Sequence, residues 1–195
     1  MESRVPWAQS EEDERVHDRQ QAKRFEQIAM PHLAAGYNLA RWLTRNDDDA
    51  EDVVQEAYVR ALQSFDRYRG GDARAWVLTI VRNTCYTWLR QHRAVEAVAA
   101  PVDTDDTWTQ LAADAALEPE TRSIRQADGR LLRLALEELP VEFREAFVLR
   151  ELEGLSYKEI ADVADVPIGT VMSRLARARK QLQHSLRRLG GEDGP

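Results

Sequence analysis

Residues 155–180 read LSYKEIADVADVPIGTVMSRLARARK and predict two helices, the first of them short, joined by a tight turn. Ser156 and Glu159 have the spacing of a Ser-x-x-Glu capping box, so the first helix begins directly after Ser156. Pro167 disfavours helical backbone at the residue before it, so this helix ends near Asp165. The second helix begins at about Pro167, because proline is tolerated in the first helical turn.

The second helix of this pair has one apolar face and one polar, basic face. The apolar side chains that share a face are Val171, Leu175, Ala178 and Leu182. The outward face carries Thr170, Ser173, Arg174 and Arg177. This pattern predicts a helix-turn-helix unit whose second helix enters the major groove of DNA. An ordinary helical hairpin with a solvated basic face is the alternative that this stretch alone leaves open.

The composition of the 195-residue chain is typical of a globular protein, with 31% charged and 43% hydrophobic residues. No apolar run has the length of a membrane span, and the first ten residues lack the apolar core of a signal peptide. A single cysteine, Cys85, excludes an intramolecular disulfide and a cysteine-rich zinc site. We therefore expect a cytoplasmic protein that inserts into no membrane and uses no metal or other cofactor.

The net charge of -7 conceals two basic segments separated by an acidic one. Residues 94–120 contain seven acidic and no basic side chains. Residues 167–189 contain six basic and no acidic side chains, and residues 67–93 contain six arginines and one acid. The distribution of charge is therefore compatible with binding nucleic acid, although the sum is not basic.

Helical periodicity recurs along the chain and strand alternation does not, which predicts an all-α fold. We expect two small helical domains joined by a flexible acidic linker. The predicted division is a polar extension at 1–18, a first domain at 19–93, the linker at 94–120, a second domain at 121–190 and a tail at 191–195. Within the linker we expect one helical turn near residues 108–116.

The two domains have distinct predicted helices. In the first, Pro31 marks a kink, a cap at 46–49 precedes a helix over about 50–65, and a long helix covers about 73–93 with Trp88 in the core. In the second, Leu132, Leu136 and Leu139 belong to one helix that ends before Pro140, and Phe143, Phe147 and Leu152 belong to the next.

Arginines and aromatic residues alternate around the Gly70-Gly71 loop of the first domain. The aromatic residues are Phe65, Tyr68, Trp76, Tyr86 and Trp88. Such a mixture suits unpaired nucleic acid, because bases stack on rings while arginines hold phosphates. The alternative is that the tryptophans are simply core residues. Asn83 and Tyr86 are harder to explain as core, because they project with the arginines.

Residues 49–62, DAEDVVQEAYVRAL, form a helix with an acidic outward face. That face carries Glu51, Asp52, Gln55 and Glu56, and its charge is unsuited to contact with DNA. It is either a solvated face or a surface for a protein partner with basic residues.

Enzyme chemistry has little support in this sequence. The four histidines, at 17, 32, 92 and 184, lack the spacing of a metal site, and no nucleophile elbow or P-loop is present. The acidic run at 47–49 has the composition to bind a divalent ion, but helix capping is the simpler explanation. We therefore expect a protein that is not an enzyme and has no metal site.

Taken together, these features resemble a bacterial RNA polymerase sigma factor of the extracytoplasmic-function (ECF) type. The matching stretches are 49–62, the pattern W-x-x-x-I-x-R-N from Trp76 to Asn83, and 139–182. The resemblance covers about 25–93 and 131–188. It implies sigma region 2, which binds core polymerase and opens the promoter, followed by sigma region 4, a helix-turn-helix that reads the minus-thirty-five element.

The resemblance also implies roles for individual residues. Asp52, Gln55 and Glu56 would dock on the clamp helices of the polymerase β′ subunit, and 132–152 corresponds loosely to the surface that meets the β flap. Contacts to the upstream element would come from Lys158, Thr170, Ser173, Arg174 and Arg177. Contacts to the minus-ten element, with strand opening and capture of a flipped base, would come from Tyr68, Arg69, Trp76, Arg82, Asn83, Tyr86 and Arg90.

The implied function is promoter-specific initiation of transcription, controlled by an anti-sigma factor or another signal-dependent partner. We expect core polymerase to bind before DNA, because the acidic N-terminus and linker would mask DNA binding by the free protein. The linker is either a nucleic-acid mimic in the polymerase or a plain tether. A stand-alone helix-turn-helix regulator of duplex operators is the alternative, and a metal-dependent enzyme using 47–49 is a third class. Met172 and Ala176 stand where some relatives carry an arginine and an aromatic residue, so the promoter preference of those relatives does not transfer to this chain.

Overall fold

The computed structural model describes residues 19–96, here called the N-terminal half, and residues 129–190, here called the C-terminal half. Within these ranges every regular element is helical and no strand occurs, which confirms the all-α prediction. The predicted extension at 1–18, the tail at 191–195, and the linker from residue 97 onward, with its predicted turn at 108–116, lie outside the described residues.

The N-terminal half contains four helices. They are α1 (19–29), followed by a 3₁₀ turn at Met30–His32, then α2 (Leu33–Thr44), α3 (Asp47–Gln63) and α4 (Ala73–Glu96). The C-terminal half contains four more. They are α5 (129–137), α6 (Val141–Phe147) with a π turn at Val148–Leu152, α7 (Tyr157–Ala164) and α8 (Ile168–Gly190).

Helix α3 begins three residues earlier than the sequence predicted. Asn46 is its N-cap, and its side-chain oxygen accepts a hydrogen bond of 3.0 Å from the backbone N–H of Asp49. The aspartates at 47, 48 and 49 thus form the first turn, where negative charge is favourable beside the helix N-terminus. The acidic run is therefore part of the helix and not a turn before it.

Helices α2, α3 and α4 pack on one another around side chains such as Leu39, Val53 and Val81, all essentially buried. Trp88 is half-buried, so the prediction that it belongs to the core was only partly correct. It lies near the end of the long helix α4, where its ring stacks on His92 with centroids 4.1 Å apart.

The C-terminal half differs from expectation at two helix ends. Helix α5 ends at residue 137, so Leu139 lies beyond it, although Leu139 is buried in the turn before Pro140. After α6 the backbone widens into the π turn, where the N–H of Glu153 donates to the carbonyl of Val148 at 3.0 Å. This widening leaves Leu152 46% exposed.

The two halves pack against each other, which the sequence did not predict. Helix α7 lies against α4, and α6 lies against α2. Leu78 of α4 and Leu149 and Ile160 of the C-terminal half belong to one continuous hydrophobic core. A smaller core at the junction of α5 and α8 includes Leu136. The predicted pair of domains therefore shares its main core in this structure.

Candidate nucleic-acid and polymerase interfaces

The helix-turn-helix is built by local sequence signals. The Oγ of Ser156 accepts from the N–H of Glu159 at 3.2 Å, and the Glu159 carboxylate accepts from the N–H of Ser156 at 2.6 Å, which confirms the capping box. These hydrogen bonds lower the pKa of Glu159. Asp165 ends α7 in the left-handed region at φ 52°, and α8 follows Pro167.

The inward face of α8 is the predicted one, and its outward face presents most of the predicted DNA contacts. The buried residues of α8 include Val171, Leu175, Ala178 and Leu182. Ser173 and Arg177 are exposed, Lys158 of α7 is exposed, and Thr170 is half-buried. Arg174 differs from these, because only 20% of its side chain is exposed.

The Gly70-Gly71 loop is closed by aromatic packing. Both glycines have left-handed backbone, with φ of 90° and 102°, and the Tyr68 hydroxyl donates to the carbonyl of Gly71 at 2.9 Å. The rings of Tyr68 and Trp76 lie 4.9 Å apart. Arg69 projects from this loop and is exposed.

Helix α4 carries the remaining residues predicted to contact the minus-ten element, in two different environments. Asn83 and Arg90 are exposed, as expected for side chains available to a ligand. Arg82 and Tyr86 are instead covered by the C-terminal half, with the Arg82 guanidinium 4.4 Å from the centre of the Tyr86 ring. Tyr86 therefore projects on the same side as Arg82, as expected, but towards the C-terminal half and not into solvent.

Glu145 of α6 is the residue that covers them, and sequence reasoning missed it. Its side chain is 1% exposed, and its carboxylate accepts from the Nε of Arg82 and, at 2.8 Å, from the hydroxyl of Tyr86. Nη1 of Arg174 lies 3.8 Å from the same carboxylate. Burial and the neighbouring Glu145 charge raise the pKa of Tyr86 well above its usual range. Glu145 lies within 132–152, so part of the segment compared with the β-flap surface faces inward.

Helix α3 presents the predicted polymerase-binding face to solvent. Asp52, Gln55 and Glu56 are all exposed, and Glu56 pairs with Arg60 one turn later. Val59 and Leu62 continue the exposed surface at 55% and 44% exposure.

The acidic run at 47–49, which has the composition to bind a divalent ion, lies in the first turn of α3. The described residues contain no group of three or more histidine, cysteine or carboxylate side chains arranged to hold a metal ion. Asp47 pairs with Arg41 and accepts a hydrogen bond from Tyr37 at 3.2 Å, so it stabilises the α2–α3 junction.

Across the same described ranges, no helix is both long and apolar enough to cross a membrane.

Comparison with protein families finds two matching regions. The family described as Sigma-70 region 2 matches residues 28–95, and the family described as Sigma-70, region 4 matches residues 129–182. The halves seen in the structure therefore correspond to two known sigma regions in the expected order.

Curated relatives carry the same assignment. An ECF RNA polymerase sigma factor SigE from Mycolicibacterium smegmatis is 34% identical over 86% of this chain, which spans 63% of that protein. ECF RNA polymerase sigma-E factors from Haemophilus influenzae and Escherichia coli K12 are 34% and 33% identical, over 77% and 72% of this chain and 80% and 75% of their own lengths.

Solved structures share the fold. The sigma factor RpoE of Bartonella quintana, crystallised with the anti-sigma factor NepR, superposes with a TM-score of 0.65 and 28% identity, over 85% of this chain and 98% of that one. CnrH, solved with the cytosolic domain of CnrY, superposes with a TM-score of 0.57 over 92% and 98% of the two chains at 24% identity, and shows the fold alone. The family is one of transcription initiation factors and is not known for catalysis. The chain belongs to the ECF RNA polymerase sigma factors.

Proposed function

We propose that the chain is a promoter-specificity subunit that binds core RNA polymerase and directs initiation at its own promoters. The observation that carries this is the presence, in one chain, of an exposed acidic face on α3 and an exposed helix-turn-helix. The N-terminal domain at 19–93 would bind polymerase and open DNA, and the domain at 121–190 would anchor the upstream element. We assign no catalytic step to the chain and place it in the cytoplasm with its polymerase.

The polymerase-binding proposal rests on α3. Asp52, Gln55 and Glu56 lie within one turn of one another on the exposed face of a helix that begins with three aspartates. Repulsion from phosphates disfavours DNA as the ligand of this surface, whereas a basic helical partner is complementary to it. The clamp helices of the β′ subunit are the proposed partner, with the β flap contacting the C-terminal domain.

The DNA-binding proposal divides between the two halves. Contacts to the upstream duplex would come from Lys158, Thr170, Ser173, Arg174 and Arg177, some to phosphates for register and some to base edges for sequence. Contacts to the opened minus-ten strand would come from Tyr68, Arg69, Trp76, Arg82, Asn83, Tyr86 and Arg90, which combine rings for stacking with cations for phosphates.

Regulation by a protein partner is the remaining element of the proposal. The Bartonella quintana sigma factor that superposes on this chain was crystallised with an anti-sigma factor. We extend that mode of control to this chain, with a cognate anti-sigma factor as the partner.

Charge reversal on α3 tests the proposal. In the double variant Asp52→Lys with Glu56→Lys, we expect binding to the cognate core polymerase and run-off transcription to be lost. The matched control is Glu26→Lys with Asp66→Lys, which makes the same charge change at two exposed positions outside α3. Both variants, as isolated proteins, should bind duplex DNA at least as strongly as the wild type does. Full core binding and transcription by the α3 variant would contradict the proposal and favour a stand-alone regulator.

A further inference from the structure

A single buried carboxylate connects the two halves of the molecule. Glu145 belongs to α6. Its carboxylate accepts hydrogen bonds from Arg82 and Tyr86, which lie on α4 in the N-terminal half. It also forms an ion pair at 3.8 Å with Arg174, which lies on α8 in its own half. Burial of a carboxylate is costly unless hydrogen-bond donors and cations surround it, and here two arginines and a phenol supply them. The position of Glu145 therefore depends on the two halves being packed together.

The partners of Glu145 are residues that the proposed function assigns to DNA. Arg82 and Tyr86 belong to the proposed minus-ten contacts, and Arg174 belongs to the proposed upstream contacts. An arginine that is bonded to a buried carboxylate is neutralised, and it is not available to a phosphate or a base edge. One side chain thus engages both proposed DNA surfaces at the same time.

A second carboxylate reinforces the same contact. Glu153, with its side chain 7% exposed, accepts from the Nδ2 of Asn38 and from the Nη2 of Arg74, both at 2.7 Å. Asn38 lies on α2 and Arg74 lies on α4, so Glu153 connects the C-terminal half to two helices of the other half. Glu145 and Glu153 lie on either side of the π turn that contacts the N-terminal half.

The polymerase-binding face is not involved in this contact. Asp52, Gln55 and Glu56 on α3 stay exposed while Arg82, Tyr86 and Arg174 are engaged. The packed arrangement is therefore open to a protein that docks on α3 and is closed at part of the DNA-binding surface. The sequence predicted masking by the acidic N-terminus and linker, whereas here the masking groups are two acids inside the folded C-terminal half.

We propose that the packing of the two halves is an autoinhibitory contact, in which Glu145 holds Arg82, Tyr86 and Arg174 of the free protein and Glu153 fastens the C-terminal half to α2 and α4. Docking of polymerase on α3 comes first, and release of the two carboxylates then frees both DNA surfaces together. This proposal rests on the proposed function for the identity of its ligands, but the contact itself is testable without polymerase or a known promoter.

The first test measures closure in the isolated full chain. Glu145→Gln and Glu153→Gln keep the shape of each side chain and remove its charge. The matched control is Glu151→Gln, which removes an acid from the same π turn whose partner, Arg179, lies in the same half. We expect small-angle X-ray scattering to give a larger radius of gyration for the first two variants and an unchanged one for the control. Far-UV circular dichroism reports whether each variant remains folded.

The second test measures access to DNA. The probes are a 20-base-pair mixed-sequence duplex and a 12-nucleotide single strand, followed by fluorescence anisotropy at low salt. If the open state is a small fraction of the free protein, opening it lowers the apparent Kd by the inverse of that fraction. We expect Glu145→Gln to lower the Kd for both probes by about tenfold or more. The control Glu151→Gln should change the Kd only by the small amount that follows from the loss of one negative charge.

The outcomes separate this proposal from the proposed function. Folded Glu145→Gln and Glu153→Gln variants with wild-type dimensions and wild-type DNA affinity would overturn the autoinhibitory contact and leave sigma activity intact. If Glu145→Gln fails to fold, Glu153→Gln decides the question, because it leaves Glu145 in place. Failure of the proposed function would show instead as absent transcription with core polymerase, whatever the dimensions of the free chain.

Discussion

The side chains of Arg74 and Glu153 are joined by a hydrogen bond of 2.7 Å although they lie 79 residues apart in the sequence. Arg74 stands in the first turn of α4, next to the glycine loop, and Glu153 follows the π turn of the other half. Because Glu153 is largely buried by this contact, the pair is more than a surface ion pair. It places the helix-turn-helix directly against the helix that carries the proposed minus-ten contacts.

Arg177 is exposed in the arrangement seen here and provides the clearest test of promoter reading. We expect Arg177→Ala to weaken binding of reconstituted holoenzyme to its promoter. A contact to a base edge would cost about 1–3 kcal/mol and relax specificity at one position, whereas a phosphate contact would weaken all sequences alike and make the salt slope shallower. Arg187→Ala, at the exposed far end of α8, is the control and should leave promoter affinity close to wild type.

The capping box has a measurable contribution to stability. Ser156→Ala removes the oxygen that accepts from the N–H of Glu159, and it should lower the free energy of unfolding by about 1 kcal/mol. Urea denaturation followed by circular dichroism checks this. Ser173→Ala, in the interior of α8, is the comparison, and it should cost less because alanine has the higher helix propensity. Equal losses in the two variants would count against a specific capping contribution.

Tyr86 should report closure through its ionisation. Burial, the charge of Glu145 and the hydrogen bond to Glu145 all raise its pKa above the usual value near 10. A group whose pKa is raised on packing stabilises the packed form below its usual pKa, and that stabilisation is lost as pH rises through the raised value. We therefore expect the packing of the halves to weaken above about pH 10.

The measurement is a difference titration at 295 nm between the wild type and Tyr86→Phe. The lost signal should titrate above the usual tyrosine value near 10, and it should move towards lower pH in Glu145→Gln. A Tyr86 signal with an ordinary pKa would be inconsistent with the packed arrangement in solution.

Cys85 should be unreactive in the native protein. It is fully buried on α4, and burial raises its pKa to about 12, so almost no thiolate forms at neutral pH. We expect a thiol reagent such as DTNB at pH 8 to react at least about a hundredfold more slowly with the native chain than with the chain in 6 M urea. Rapid, complete labelling under native conditions would contradict the core position of Cys85.

Local features of this protein were predictable from the sequence. The capping box at Ser156 and Glu159 and the turn before Pro167 depend on hydrogen bonds and steric limits between residues a few positions apart. The buried face of α8 follows from the helical period, so Val171 and Leu175 were recognisable as core. Errors at helix ends, such as the early start of α3, arose because capping chemistry allowed more than one starting residue.

The tertiary structure alone decided how the two halves meet. Glu145 looks like one more acid on an amphipathic helix, because its partners Arg82 and Tyr86 are about 60 residues away and no local rule relates them. Helical periodicity reports which face of a helix is buried and does not report against which element. By itself the sequence determined the helices, the helix-turn-helix and the acidic face of α3. Only long-range packing determined that Arg82, Tyr86 and Arg174 share one buried carboxylate, because that contact exists only when α4, α6 and α8 come together.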